Sequence, residues 1–223
     1  MVKYTAHKAT RFLPIIGILS YVVLYIIAAK LYPGGSIVYP DSIGFDWSNN
    51  YWCNLIGDNS MNGQVNIAQP YALIGMIVLG ISLGIFFYQY PRYFKLKSPW
   101  NSIVPISGIT GSFFSMLIMS DYHDLTAVLA AVFGALSIVG IFLGLRNTGL
   151  TYFIWTGILC ILLIALNGYI YFSKNHIIWL PIIQKITFAA VLLWVMCLNS
   201  MFGSEKKLVS MKKSLNRVVK YKS

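Results

Sequence analysis

The segment Ser120-Asp121-Tyr122-His123-Asp124 sets an imidazole among carboxylates. A histidine so flanked can stay charged near neutral pH, act as a base, or ligate a metal. In a catalytic role His123 would take a proton from a lipid or lipid-linked substrate while Asp124 orients the ring. A structural reading stands beside it. Asp121 is placed to cap the helix that begins there, with Asp124 three residues on, and both acids favour the positive end of that helix.

Lys185 is the second candidate. It follows Gln184 about one turn inside an apolar run, where an ionisable group is costly and hence a functional candidate. It lies only ~7.5 Å along a helix from Leu180. The ammonium therefore either snorkels to the headgroups or pairs with Asp121, Asp124 or an acid of the segment 33–69.

That segment reads PGGSIVYPDSIGFDWSNNYWCNLIGDNSMNGQVNIAQ and contains no Lys or Arg. It is too long for a mere connection and too aromatic for a flexible linker. An ordered cap over the helix ends is expected, with Asp46, Trp52 and Asn54 as binding candidates. Ser48 is placed to cap a short helix carrying Trp52, Leu55 and Ile56. Asn62-Gly63 signals a turn. The aromatics either seal the bundle at the membrane interface or contact a ligand.

The elements that position these residues follow from the apolar runs. Of 223 residues, 57% are hydrophobic and 10% charged, and the mean hydropathy is +0.69. Those charges are too few to cover a globular surface, so the bilayer is the expected solvent. Six stretches reach the ~20 residues a spanning helix needs: 12–31, 70–90, 101–120, 125–145, 150–172 and 180–201. Their lack of alternation argues against barrel strands. Pro70 and Pro181 fall where a first helical turn tolerates proline. Pro33-Gly34-Gly35 ends the first helix, and Asn147 and Gly149 separate the fourth from the fifth. The fold class is all-α: a polytopic membrane protein with six transmembrane helices in one domain over 1–202, a long ordered external loop between the first two, and a basic tail over 203–223. The basic start before the first run resembles a signal peptide. Its length and the five later runs favour a retained helix, although Ala28-Ala29 offers a cleavage site.

The charges segregate by sign. Five of the six acids (Asp41, Asp46, Asp58, Asp121, Asp124) and 14 of the 17 basic residues fall in different sets of loops. The basic loops mark the cytoplasmic side, so both termini are expected inside, in a cell membrane. In the tail, Leu208, Met211, Leu215 and Val218 recur at helical spacing among lysines. The tail is either an interfacial helix binding anionic lipid or a solvated positive-inside segment.

Several classes are excluded or disfavoured. The net charge of +11 borders apolar runs instead of forming a stripe, which speaks against nucleic acid. Cys53, Cys160 and Cys197 form no CxxC pattern, and no metal or other cofactor is expected. Asn167 and Asn199 are placed to join helices by hydrogen bonds. Gly80/Gly84 and Gly140/Gly144 have the spacing of close helix contacts. No row of acids or histidines crosses the bilayer, which leaves little for a transporter.

Gly17-Ile18-Leu19-Ser20 and Ala28-Ala29-Lys30-Leu31-Tyr32-Pro33-Gly34, with the long loop and His123 at the start of the fourth run, resemble uncharacterised bacterial six-span membrane proteins. These form a domain of unknown function, similar in outline to the Frag/DRAM-type proteins. The resemblance implies a six-helix bundle and no established activity. Phe45-Asp46-Trp47 and Asn49-Asn50-Tyr51 resemble a segment of the alkaline ceramidase-like hydrolases. That resemblance implies a three-histidine metal site. This chain holds only His7, His123 and His176, with no HxxxH.

The reading that joins these features is a membrane protein with its working face outside. It binds a lipid or small molecule there, through Asp46, Trp52, Asn54, Asp121 and Lys185, or serves beside a membrane-protein partner. An enzyme using His123 with Asp124 is the alternative, and a small transporter the second.

Overall fold

The computed structural model describes residues 10–117, 122–146 and 148–203. Asp121, Asn147, the side chain of His123 and the tail from 204 lie outside the described residues, and so do the roles expected of them. Among the described residues there are six α-helices: α1 (Leu13–Leu31), α2 (Gln69–Tyr93), α3 (Trp100–Met116), α4 (His123–Leu145), α5 (Tyr152–Ser173) and α6 (Leu180–Ser200). The only β-structure among them is two isolated bridges, Gly34 with Ile43 and Asn59 with Val65.

Five segments are long and apolar enough to cross a membrane: Thr10–Leu31, Gln69–Tyr93, Asp124–Leu145, Tyr152–Ser173 and Ile177–Ser200. The third expected span, 101–120, is described only to 117: its α3 has 17 residues to Met116, a rise of ~25 Å. Pro70 and Pro181 do sit in the first turns of α2 and α6. α1 ends where Gly34 (φ 145°) and Gly35 (φ 81°) take conformations open to glycine.

Glycines and serines let neighbouring helices approach, and the contacts fix their direction. Gly17 on α1 faces Ser82 on α2, and Gly75 faces Tyr25, so α1 and α2 are antiparallel. Gly80 meets Met116 and Gly108 meets Phe87, which sets α3 antiparallel to α2. On α3 and α4, Ser107 and Ser137 share a 2.6 Å hydrogen bond, and Gly140 abuts Val104 and Trp100. Of the two expected close-contact glycine pairs, Gly140/Gly144 is packed, with Gly144 against Tyr90 and Leu96, whereas in Gly80/Gly84 only Gly80 is, a Cβ at Gly84 meeting nothing nearer than Ile109 at 4.0 Å. α1 to α4 form one closely packed series. α5 and α6 form a hairpin joined by Asn167 Nδ2 donating to Thr187 Oγ1 and by Trp194 Nε1 donating to Phe153 O at 2.9 Å. Asn199 does not join helices as expected: it is fully buried and neither amide atom has a partner among the described residues.

The same contacts sort the helix ends. One end collects Arg11, whose guanidinium donates to Phe202 O at 3.1 Å, together with the segment from Gln89 to Leu96 and the C-terminal end of α4. A stack of Phe86, Tyr90, Tyr93, Phe94 and Phe202 fills it. The other end carries the segment 33–69, the start of α4 and the α5–α6 turn.

Candidate functional site

Segment 33–69 is an ordered cap built on buried asparagines. Its first turn closes through Gly35 N–H to Ser42 O (2.7 Å) and Gly44 N–H to Pro33 O (3.0 Å). Its second closes through Ser60 N–H to Gln64 O (2.8 Å), with Gly63 at φ 81° as the Asn62-Gly63 signal predicts. Asn62 N–H donates to Gly34 O and holds the two turns together. Between them lies a 3-10 turn, Trp52–Leu55. Ser48 does not cap it. The residue before the turn is Tyr51, whose N–H donates to Asn54 Oδ1 at 2.6 Å, and Ser48 lies three residues earlier, its N–H donating to Asp46 Oδ1 at 2.9 Å.

Asn50 and Asn66, not singled out by the sequence, organise this region. Asn50 is fully buried; its Nδ2 donates to Gly35 O (2.8 Å) and its Oδ1 accepts Asp46 N–H (2.8 Å). Asn66 Nδ2 donates to the main chain at Asn54, Leu55 and Gly57, and its Oδ1 accepts Ala68 N–H. A buried side-chain amide is used here because a loop leaves main-chain groups that no helix ladder satisfies.

The cap is fastened to α6. Lys185 Nζ donates to Asn50 O and, at 3.0 Å, to Pro181 O. It lies 5.5 Å from the Phe45 ring centre and 5.6 Å from that of Trp52, within cation–π range. Of the two alternatives for Lys185, the ion pair is not formed among the described residues, Asp121 lying outside them: its partners there are carbonyls and rings. Gln184 Oε1 accepts Trp52 N–H at 3.1 Å. Trp52 itself packs against Tyr25, Phe45 and Trp47. Its indole N–H is buried without an acceptor among the described residues.

Asp46 stands on the other side of Asn49-Asn50. Its carboxylate accepts Ser48 N–H, Asn49 N–H (3.1 Å) and Asn49 Nδ2 (2.8 Å). Burial alone would push its pKa up. The hydrogen bonds from Asn49 and Ser48, with Lys185 nearby, outweigh burial and hold it below the ordinary value. Burial pushes the Cys53 thiol up, against the lowering pull of main-chain N–H groups and Lys185. It also raises the Tyr51 phenol, with Cys53 and Tyr171 adding to the effect.

Four of the expected site residues, Asp46, Trp52, Asn54 and Lys185, therefore come together around Asn50. Asp124 is held elsewhere, accepting the Tyr171 hydroxyl at 3.0 Å across the α4 and α5 ends. Tyr122 immediately precedes α4, and the capping role offered for Asp121 lies outside the described residues. Among the described residues no group of three His, Cys, Asp or Glu side chains could hold a metal.

Beside this cluster runs an apolar groove of about 180 Å³, in which Ile37, Val38, Asn49 and Tyr51 of the cap face Ile177, Ile178 and Pro181 of the α5–α6 turn. Drug-sized ligands fill about 300–1,000 Å³, so this groove suits a narrow alkyl segment. No family model, curated protein or solved structure matches this chain.

Proposed function

We propose that this protein is a six-span membrane protein that holds one acyl chain of an outer-leaflet lipid in the groove between its cap and the α5–α6 turn. The observation that carries the reading is the groove's lining: apolar side chains from two separate segments, at the end of the bundle where the cap lies. An acyl chain entering it leaves bilayer hydrocarbon, not water, so what holds it there is close packing against these side chains.

Three features support the membrane setting and the sixth span. α3 packs along its length between two spanning helices, antiparallel to both. On α5, Tyr152 and Trp155 are exposed near one end and Tyr169 and Phe172 near the other. Tyr152 and Phe172 are ~30 Å apart along the helix, the thickness of a hydrocarbon core. The basic loops gather at the end opposite the cap, so the cap is external and both termini are cytoplasmic. The basic tail then faces anionic inner-leaflet lipid.

The test is photolabelling of the reconstituted protein by a phospholipid with a diazirine on its acyl chain. Adducts should concentrate on residues 37–51 and 177–181 and fall when Val38→Trp fills the groove. Labelling spread evenly over the exposed faces of α4 and α5, unchanged by Val38→Trp, would sink the reading.

A further inference from the structure

Each wall of the groove is one hydrogen bond from a charge. Asn49 lines it and donates through Nδ2 to the Asp46 carboxylate at 2.8 Å. Pro181 lines it and its carbonyl accepts from Lys185 Nζ at 3.0 Å. Lys185 also reaches Asn50 O, between the groove residues Asn49 and Tyr51. The two charges are opposite yet do not meet in an ion pair, because Asn49-Asn50 stands between them.

The poles differ in hydrogen-bonding character. On the α6 side the group is a donor: a half-buried ammonium with three N–H bonds, two of them used by carbonyls. On the cap side Asp46 offers a carboxylate whose Oδ1 already accepts two hydrogen bonds and whose Oδ2 accepts one and has room for another. A ligand headgroup that complements both poles carries an anion and a cation a few atoms apart. A purely anionic headgroup would satisfy the donor and be repelled by Asp46. A neutral headgroup would satisfy neither.

We infer that the groove selects a zwitterionic phospholipid, its phosphate drawn to Lys185 and its amine to Asp46. This rests on the groove holding an acyl chain and adds the identity of the headgroup.

The test is native mass spectrometry of the full-length protein from nanodiscs with equal parts of phosphatidylethanolamine, phosphatidylglycerol and diacylglycerol of the same acyl chains. Retained phosphatidylethanolamine should exceed phosphatidylglycerol by roughly tenfold, equivalent to about 1.4 kcal/mol. Asp46→Asn, which removes the negative charge and keeps one acceptor oxygen at that position, should erase that preference while both phospholipids stay ahead of diacylglycerol. Lys185→Gln should erase the lead of phospholipid over diacylglycerol. Excess soluble phosphoethanolamine, which has both charges and no chain, should displace nothing; displacement would make the occupant a soluble zwitterion and overturn the lipid assignment. Equal retention of all three lipids, or a preference for phosphatidylglycerol, overturns the headgroup inference and leaves the groove reading intact. Retention of none overturns both.

Discussion

Lys185 of α6 donates to the main-chain oxygen of Asn50 in the cap, 135 positions earlier in the chain. That bond ties the end of the bundle to the cap, and it does so through a carbonyl. Charge-assisted hydrogen bonds contribute about 1.5–3 kcal/mol each. Lys185→Met should therefore loosen the cap, whereas Lys185→Arg, which keeps the charge and its donors, should loosen it less. Cys53 reports the difference. Its thiol is pushed up by burial, so it should react slowly with a maleimide at pH 7.5 in the parent protein. In Lys185→Met the reaction should speed up by an order of magnitude or more. Equal rates in all three proteins would remove Lys185 as the fastening of the cap.

Asp46 makes the cap sensitive to acid. Its native pKa lies below the ordinary 3.8. A depressed carboxyl stabilises the folded form fully above its unfolded value and loses that contribution as pH falls through the native one. The cap should therefore be unaffected from neutral pH down to about 4, then loosen. Trp47 and Trp52, both in the aromatic cluster with Phe45, should show this as a fluorescence change. In Asp46→Asn the transition attributable to this carboxyl should vanish. An identical acid transition in that variant would assign the effect to another group.

The helices were legible in the sequence because the bilayer requires long apolar runs, and five of the six expected runs become helices of spanning length. The third run is described as α3 to Met116, and its last residues, 118–120, lie outside the described residues. The candidate site was legible in part. Asp46, Trp52, Asn54 and Lys185 stand out by type and position, and they do converge. Asn50 and Asn66 do not stand out, because an asparagine in a polar loop looks solvated until the carbonyls it serves are known. Those carbonyls, at Gly35 and Gly57, carry no side-chain signature. Tyr171 was missed for a related reason: a tyrosine at a helix end reads as an interface anchor, and only the fold brings it to Asp124.

α3 depends on its neighbours, and Gly111 shows how. A Cβ there would lie 3.0 Å from Gly134 N and 3.3 Å from Ala130 O. Both are main-chain atoms of α4, so no rotamer change relieves the contact, and α4 itself must move. Gly111→Val should destabilise the protein by about 1–3 kcal/mol. Gly134, whose own Cβ would meet nothing within 4 Å, is the control, and Gly134→Ala should change little. Thermal unfolding in detergent measures both. Equal midpoints for the two variants would show that α3 and α4 are not in close contact at Gly111.

Asn199 invites the opposite kind of substitution. It is fully buried on α6, and neither its amide nitrogen nor its amide oxygen has a partner among the described residues. A buried polar group without a partner costs about 1–3 kcal/mol. Leucine has nearly the same shape and no polar atoms. Asn199→Leu should accordingly raise the unfolding midpoint, with a gain of about 1–3 kcal/mol if the orphaned amide is the whole effect. Gln89, whose Oε1 is likewise buried without a partner, behaves differently on substitution. Its Nε2 donates to Thr10 O at 3.0 Å, so Gln89→Leu removes a hydrogen bond as well as an orphan and should gain less. If Asn199→Leu instead lowers the midpoint, the amide is satisfied in the folded protein, and a buried water is the simplest group that could satisfy both of its ends.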